Sequence, residues 1–338
     1  MLEQLEILSA AFSDFVWGRP LLILLVGGGV FFAFYSRFLP YRHLIHAVGI
    51  MLGRYDTPDE DGELTHAQAL AAALSGTLGL GNIAGVALAI VAGGPGAVFW
   101  MWITAIVGIA TKFFTCTLGI MYRGKDSLGQ LQGGPQYIIR EALPRRFYPL
   151  AVLFSAAGMI GTLPMFQTNQ LTALARSSFG AGFDPMQFNL VIGLCIASVV
   201  AAVVFGGLQR VAKVSVALLP AMAVIYLSMT LFMLIRHAAE VPALLSLIVQ
   251  EAFAPQAFGG GLLGVMLIGI SRGAFSNEAG LGTEVMAHGA ARTNEPIREG
   301  LVATLGPVID TLIVCTCTAL VILLSGLWQT PGELSGIS

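Results

Sequence analysis

Eight apolar runs, each close to the length needed to cross a lipid bilayer, recur along the sequence: 18–36, 66–92, 97–120, 147–172, 187–206, 213–235, 261–288 and 300–327. A helix rises about 1.5 Å per residue, so about 20 apolar residues cross a hydrocarbon core of about 30 Å. Inside hydrocarbon every backbone N–H and C=O must find a partner within the protein, which leaves helices or closed barrels. Runs of this length are helices. Charged residues make up only 11% of the chain, hydrophobic ones 56%, and the mean hydropathy is +0.81. A soluble domain carries about 25% charged residues, so most of this surface must face lipid. The expected class is an all-α integral membrane protein with one transmembrane domain over 1–338, membrane lipid being its bulk partner.

The charge balance excludes other classes. A net charge of −2, with no basic block, leaves nothing to neutralise a phosphate backbone, so nucleic acid is not a partner. Cys116, Cys195, Cys315 and Cys317 stand in apolar runs without metal-type spacing and read as packing residues. The first residues carry Glu3, Glu6 and Asp14 where a signal peptide would be basic. With the N-terminus outside, Arg37, Arg42, Arg54, Arg123, Lys125, Arg140, Arg145, Arg146, Arg210, Lys213, Arg292 and Arg298 fall in inner loops. Arg19, Arg176 and Arg236 fall outside, and Lys112 and Arg272 lie within spans. That division, 12 inside to 3 outside with 2 buried among 17 basic residues, predicts a multi-pass cell-membrane protein with its N-terminus outside. A surface helix is expected in the second half of 124–146, and 238–258 is expected along the outer interface.

Two spans carry polar, glycine-rich interruptions. Residues 75–85 read SGTLGLGNIAG, and 271–284 read SRGAFSNEAGLGTE. Small residues let helices pack closely, which is one reading of Gly81 and Gly85. The resemblance of GLGNIAG to a dinucleotide fingerprint fails, because no strand precedes it. The sharper reading is that both helices unwind, at 75–85 and 272–282, which membrane-depth backbone tolerates only where it lines a cavity or is buried in protein. The loop charges give the two spans opposite directions, the pattern of an inverted-repeat transporter: 66–236 as first repeat, 261–338 as a partial second, 18–36 as an extra N-terminal helix. A broken helix offers unpaired N–H groups to a carboxylate and unpaired carbonyls to an ammonium or a cation. A small zwitterion and a cation suit such a site, with Thr77, Asn82, Ser276, Asn277 and Glu278 beside the breaks and Phe275 as one wall.

Asp310, within span 300–327, reads either as a substrate- or ion-coupled carboxylate or as a structural partner for a buried polar group on a neighbouring helix, and Arg272 reads as structural or gating. Glu284 is expected near the inner vestibule, and the five histidines at span edges read as interfacial. An intramembrane enzyme would need a positioned nucleophile and base, for which only Ser276 with Glu278 is available. A channel would need a continuous polar stripe.

The blocks GTLGLGNIAGVALAI (76–90), GGPGAVFWMW (93–102), GGPQYIIREAL (133–143), RGAFSNEAGLG (272–282) and IDTLIVCTCTALVILLSG (309–326) resemble the alanine or glycine:cation symporters, in order and over nearly the whole chain. The resemblance implies uptake of alanine or glycine driven by Na+ (H+ in some members), with no organic cofactor and no protein partner. It implies the five-plus-five fold of the amino-acid–polyamine–cation superfamily. Its substrate contacts fall here on Thr77, Gly79, Gly81 and Asn82, on Phe275, Ser276, Asn277, Glu278 and Gly280, and on Gln167 and Asn169 of PMFQTNQ. Sodium is expected near Gly76 and Gly79, with further ligands on a core helix beyond this chain, which reads as a fragment lacking three helices. Two departures stand out: Leu163-Pro164 where relatives show Gly-Asn, and Phe114-Thr115 after Lys112 where they show an Ala-Glu pair.

Overall fold

In a computed structural model, residues 4, 7–8, 11–12, 15–57, 59–127, 129–180, 182–253 and 261–329 are described. The helices in chain order are α1 (Arg19–Tyr35), α2 (Leu39–Arg42), α3 (Leu44–Met51), α4 (His66–Thr77), α5 (Leu80–Gly93), α6 (Gly96–Met121) and α7 (Pro135–Ala142). After them come α8 (Tyr148–Gly161), α9 (Met165–Phe179), α10 (Pro185–Val204), α11 (Gly207–Arg236), α12 (Val241–Glu251), α13 (Gly261–Asn277), α14 (Glu284–Gly289) and α15 (Pro296–Ser325). A short antiparallel hairpin, Gly124–Lys125 with Leu131–Gln132, leads into the expected surface helix α7.

Among the described residues four helices, α6, α10, α11 and α15, are long and apolar enough to cross a membrane unbroken. The pair α4 and α5, bent by 41° between them, makes a fifth candidate. The remaining expected spans are helical but shorter or divided. The 147–172 segment is cut at Thr162–Pro164 and continues as α9 to Phe179, because Pro164 cannot donate to the carbonyl a turn before it. The 261–288 segment stops at Asn277 and resumes at Glu284. Within the expected inner loop, α2 and α3 form instead, and α3 buries Ala47 and Ile50. Of the 238–258 segment, α12 is described; Ile248 is buried against α6 and α15 neighbours, so this helix packs on the bundle as well as facing outward.

α6 is the hub. It packs against α13 through small residues: a Cβ on Gly269 would meet the Ala97 carbonyl oxygen at 2.3 Å, and one on Gly273 would meet Thr104 Cβ at 3.0 Å. Close approach of this kind is how helices associate where lipid gives no hydrophobic drive. Two apolar cores flank the hub. One joins α3, α4, α6, α11 and α15 around Ile50, Leu74, Phe113 and Leu301; the other joins α5, α6, α12, α13 and α15 around Ile90, Met101, Val265 and Leu320. Both interrupted segments, α4–α5 and α13–α14, meet α15 at Asp310.

Candidate functional site

The first break is short. α4 is started by a reciprocal cap in which Thr65 Oγ1 accepts from Gln68 N at 3.2 Å and Gln68 Oε1 accepts from Thr65 N at 2.9 Å. The helix ends at Thr77, Leu78 turns extended (φ −72°, ψ 112°), and α5 starts after Gly79. There Asn82 imitates a cap from inside the first turn, its Oδ1 accepting the Gly79 N–H at 3.1 Å. The N–H groups of Leu80 and Gly81 belong to a first turn, where no carbonyl lies one turn earlier to receive them. Nothing lies within 4 Å of where a Cβ would stand on Gly79, Gly81 or Gly85, so close helix packing does not explain these glycines. They leave space.

The second break is longer and more contorted. Between Asn277 and Glu284 the backbone places Glu278 at φ 55°, Gly280 at φ 91° and Gly282 at φ 84°. A left-handed glutamate is uncommon and costs of order 1–3 kcal/mol, so the surroundings must hold it there. Two contacts do so: Asn277 Oδ1 accepts the Ala279 N–H at 2.9 Å, and Thr283 Oγ1 donates to Glu278 Oε2 at 2.5 Å. The other oxygen, Glu278 Oε1, faces the first break, 3.8 Å from the Cβ position of Gly76.

Asp310 joins the two. It is 1% exposed and sits in a widened, π-helical stretch of α15, Val308–Cys315, a distortion that often marks functional sites. Asn82 Nδ2 donates to its Oδ1 at 2.7 Å from the first break; Ser276 Oγ donates to its Oδ2 at 2.8 Å from the second; Thr311 Oγ1 donates to the same Oδ2 at 2.8 Å. Asn277 Nδ2 reaches Thr311 Oγ1 at 3.3 Å, and Cys315 Sγ lies 3.3 Å from both Asn82 Nδ2 and Ser276 Oγ. No ion pair reaches Asp310 among the described residues. A buried carboxylate without a cation is costly, and three neutral donors offset only part of that cost. The arrangement suits a carboxylate that takes up a positive charge, a proton or a hard cation held by oxygen atoms.

The other expected residues scatter. Thr77 is buried, its hydroxyl turned back onto the Leu74 carbonyl at 3.2 Å. Phe275 lines a separate cavity with Trp17, Ser271 and Arg272, its ring edge-on to Trp17 with centroids 6.3 Å apart. Arg272 makes no ion pair among the described residues, so the break does not bring it onto Glu278. Gln167 and Asn169 are exposed on α9, and Asn169 lines an open pocket against α10 with Thr168 and Asn189. The structure does not bring them to the breaks. Glu284 is 1% exposed, accepting from Thr115 Oγ1 at 3.2 Å, and so lies inside the bundle rather than in a vestibule. Lys112 is also buried, its Nζ close against α15 at 3.2 Å from the Cβ position of Gly306.

Two histidines correct the interfacial reading outright. His66 and His288 are each 1% exposed, on either side of Glu299, which is 0% exposed. His66 Nδ1 bonds one Glu299 oxygen and His288 Nδ1 the other, the latter at 2.5 Å. Sequence spacing gives no sign of this cluster, since its members are 233 and 11 residues apart along the chain.

Comparison with known proteins decides the class. A family model described as the sodium:alanine symporter family matches residues 2–338. The chain belongs to that family. It is 39% identical to the sodium/alanine symporter AgcS of Methanococcus maripaludis, over 96% of this chain and 72% of that protein. It is 38% identical to the putative sodium/proton-dependent alanine carrier protein YrbD of Bacillus subtilis, over 95% and 65% respectively. It is 35% identical to the probable sodium/glutamine symporter GlnT of the same organism, over 100% and 69%. Members of the sodium:alanine symporter family are transporters, not enzymes, and the near pair of Ser276 and Glu278 needs no catalytic reading. The sodium:alanine symporter membership also accords with a multi-pass membrane protein built around α6, α10, α11 and α15.

Proposed function

We propose that the chain carries the transport site of a secondary symporter that imports a small neutral amino acid, alanine or glycine, together with Na+, by alternating access on an inverted-repeat fold. One observation carries the reading: a buried carboxylate, Asp310, accepts a hydrogen bond from each of two broken helices. The amino-acid carboxylate is assigned to the first-turn N–H groups at Leu80 and Gly81, where the α5 dipole favours a negative charge. Its ammonium is assigned to Glu278, whose Oε1 faces Gly76 across the gap between the breaks. Nothing lies within 4 Å of a Cβ position on Gly79 or Gly81, which leaves open space for a substrate side chain there.

The cation is assigned to Asp310 with the hydroxyl oxygens of Ser276 and Thr311, an all-oxygen set suited to Na+. Asn82 touches both groups: its Oδ1 caps the α5 start and its Nδ2 holds Asp310. Ion arrival at Asp310 therefore alters the turn that receives the substrate carboxylate, which is a physical route to coupling. Thr77 and Asn277 support the two breaks, and Gly280 supplies the turn that aims Glu278. Phe275 and Arg272 line the separate cavity beside Trp17 and are read as gating residues. The second reading, proton coupling, rests on the same carboxylate, because no salt bridge reaches Asp310 among the described residues and a proton neutralises it equally. Inner-loop basic residues support an outward N-terminus. The deciding experiment is labelled-alanine uptake into proteoliposomes with an imposed Na+ gradient or an imposed proton gradient, for the chain and Asp310→Asn. Uptake that follows the Na+ gradient and is lost in the variant supports sodium symport. Uptake that is indifferent to both gradients overturns it.

A further inference from the structure

The cluster of Glu299, His66 and His288 lies outside the transport site. It sits where the inner-side ends of both broken segments meet. His66 opens α4, His288 stands one residue before the end of α14, and Glu299 lies in the first turn of α15. The flanking strands of chain are laced together: Leu64 pairs with Ala291, Arg292 N donates to the Leu64 carbonyl at 2.6 Å, and Thr293 N donates to that of Asp61 at 3.1 Å. Arg123 clamps the same corner, donating to the carbonyls of Gly289 at 2.8 Å, Asp61 and Thr293 at 3.2 Å each, and Ala291. Any motion that separates the inner ends of α4 and α14 must break at least one of the two imidazole–carboxylate bonds.

We propose that His66, Glu299 and His288 form a proton-loaded latch that closes the inner ends of both broken helices, and that loss of one proton releases it; the inference rests on the alternating-access reading above. Electroneutrality sets the state of the closed latch. A fully buried carboxylate between two neutral imidazoles would leave an uncompensated charge, whereas one imidazolium neutralises it. His66 is the bearer. Its Nε2 stands 3.6 Å from Asp56 Oδ1, so a proton there meets a second carboxylate. His66 Nε2 and His288 Nε2 are both buried without a hydrogen bond among the described residues, and of the two only His66 Nε2 has a carboxylate near it. The surrounding charges favour one extra proton. Asp56 and Glu60 face His66, with Glu60 itself tied to Arg298 at 3.0 Å. Glu284, opposed by Lys112, acts on His288; Arg123 and Asp61 complete the outer ring, and Cys116 on α6 stands nearby.

The sign follows from linkage. The closed state holds a proton that the open, hydrated state releases, so raising the pH favours opening. Cys116 is a built-in reporter: it is 0% exposed and packs on Val285 of α14 and Ala303 of α15, the surfaces that part when the latch opens. The test uses the whole chain in membrane vesicles of both orientations, labelled with a membrane-impermeant maleimide, with modification of Cys116 read by peptide mass spectrometry. Labelling is normalised to an unstructured thiol peptide to remove the thiol's own pH dependence. Normalised labelling from the inner side is expected to rise about tenfold between about pH 6 and about pH 8, as one proton's linkage allows. In His66→Gln and Glu299→Gln that dependence is expected to vanish, and in His288→Gln to persist. A flat profile in the unaltered chain overturns the latch, whether or not any variant folds. A pH-dependent profile in His66→Gln overturns the assignment of the proton. Alanine uptake by the same vesicles is scored separately: a pH-dependent latch in vesicles that take up no alanine leaves this inference standing and removes the substrate reading. Labelling only from the opposite face reverses the orientation and not the latch.

Discussion

At the first break the chain changes direction through Leu78 and Gly79, and no atom lies within 4 Å of where a side chain on Gly79 would begin. At the second, three residues in five take positive φ, a Cβ on Gly282 would sit 2.7 Å from Pro135 Cγ, and Glu278 is held left-handed by Thr283. One break is an opening and the other is a fixed, strained frame. The difference matches the roles proposed for them. A receptor for a substrate's carboxylate needs room and free N–H groups. A carboxylate that must point across that room needs a backbone that cannot relax.

Asp310 tests whether the two breaks act together, and the effect there should be the largest. Asp310→Asn keeps the shape but removes the charge to which Asn82 and Ser276 both donate. Gradient-driven uptake is expected to fall by at least about a hundredfold, because loss of a charge-assisted contact in a desolvated site is worth about 3 kcal/mol or more. Substrate-stabilised melting of the purified variant should persist if the breaks bind substrate without the ion; loss of both would show that the ion organises the first break as well.

Glycine substitutions separate opening from frame. Gly280→Val and Gly282→Val force β-branched side chains into left-handed backbone, at a cost of about 1–3 kcal/mol each before any clash is counted. Both variants should lose several degrees of melting temperature and all uptake. Gly79→Ala should melt like the unaltered protein, since the added methyl meets nothing, yet raise the half-saturating alanine concentration by filling the space proposed for substrate. A destabilised Gly79→Ala would mean that the first break is as rigid as the second.

Much of this was legible before the fold. Both breaks stand out as glycine and polar residues within apolar runs, and Asn82, Ser276, Asn277 and Asp310 follow from asking which polar groups lie at membrane depth. What could not be read is side-chain partnership across helices. In the sequence Asp310 stands open between a functional carboxylate and a structural partner, and nothing there shows that its donors come from both breaks. The Glu299 cluster left no trace, because His66 and Glu299 lie at opposite ends of the chain and each looks interfacial alone. The Gly79 backbone is extended, so space and not strain explains the residue. The 147–172 span failed for a local reason, Pro164, visible in the sequence but outweighed there by hydropathy.

A smaller effect is expected at Asn277. Its side chain supports the Ala279 N–H and reaches Thr311 only at 3.3 Å, so Asn277→Ala should raise the half-saturating concentration by about five- to tenfold, the worth of one hydrogen bond of about 1 kcal/mol. Insertion should be unchanged, as seen by membrane yield.

The smallest effect concerns Gln167. Resemblance to the symporters places it, with Asn169, among the substrate contacts, whereas here both are exposed on α9, beyond the Pro164 cut, and Asn169 faces α10. α9 nevertheless touches α5, the helix that begins at the first break. If substrate is held by the two breaks alone, Gln167→Ala should shift the half-saturating concentration by less than about twofold, since a group still in contact with solvent loses little when truncated. A shift as large as that of Asn277→Ala would mean that α9 swings over the opening at Gly79 during the cycle. The first break would then be one wall of a three-sided site, and its emptiness would be the space that α9 fills. Measuring both variants in one uptake series, at matched membrane levels, decides between these geometries.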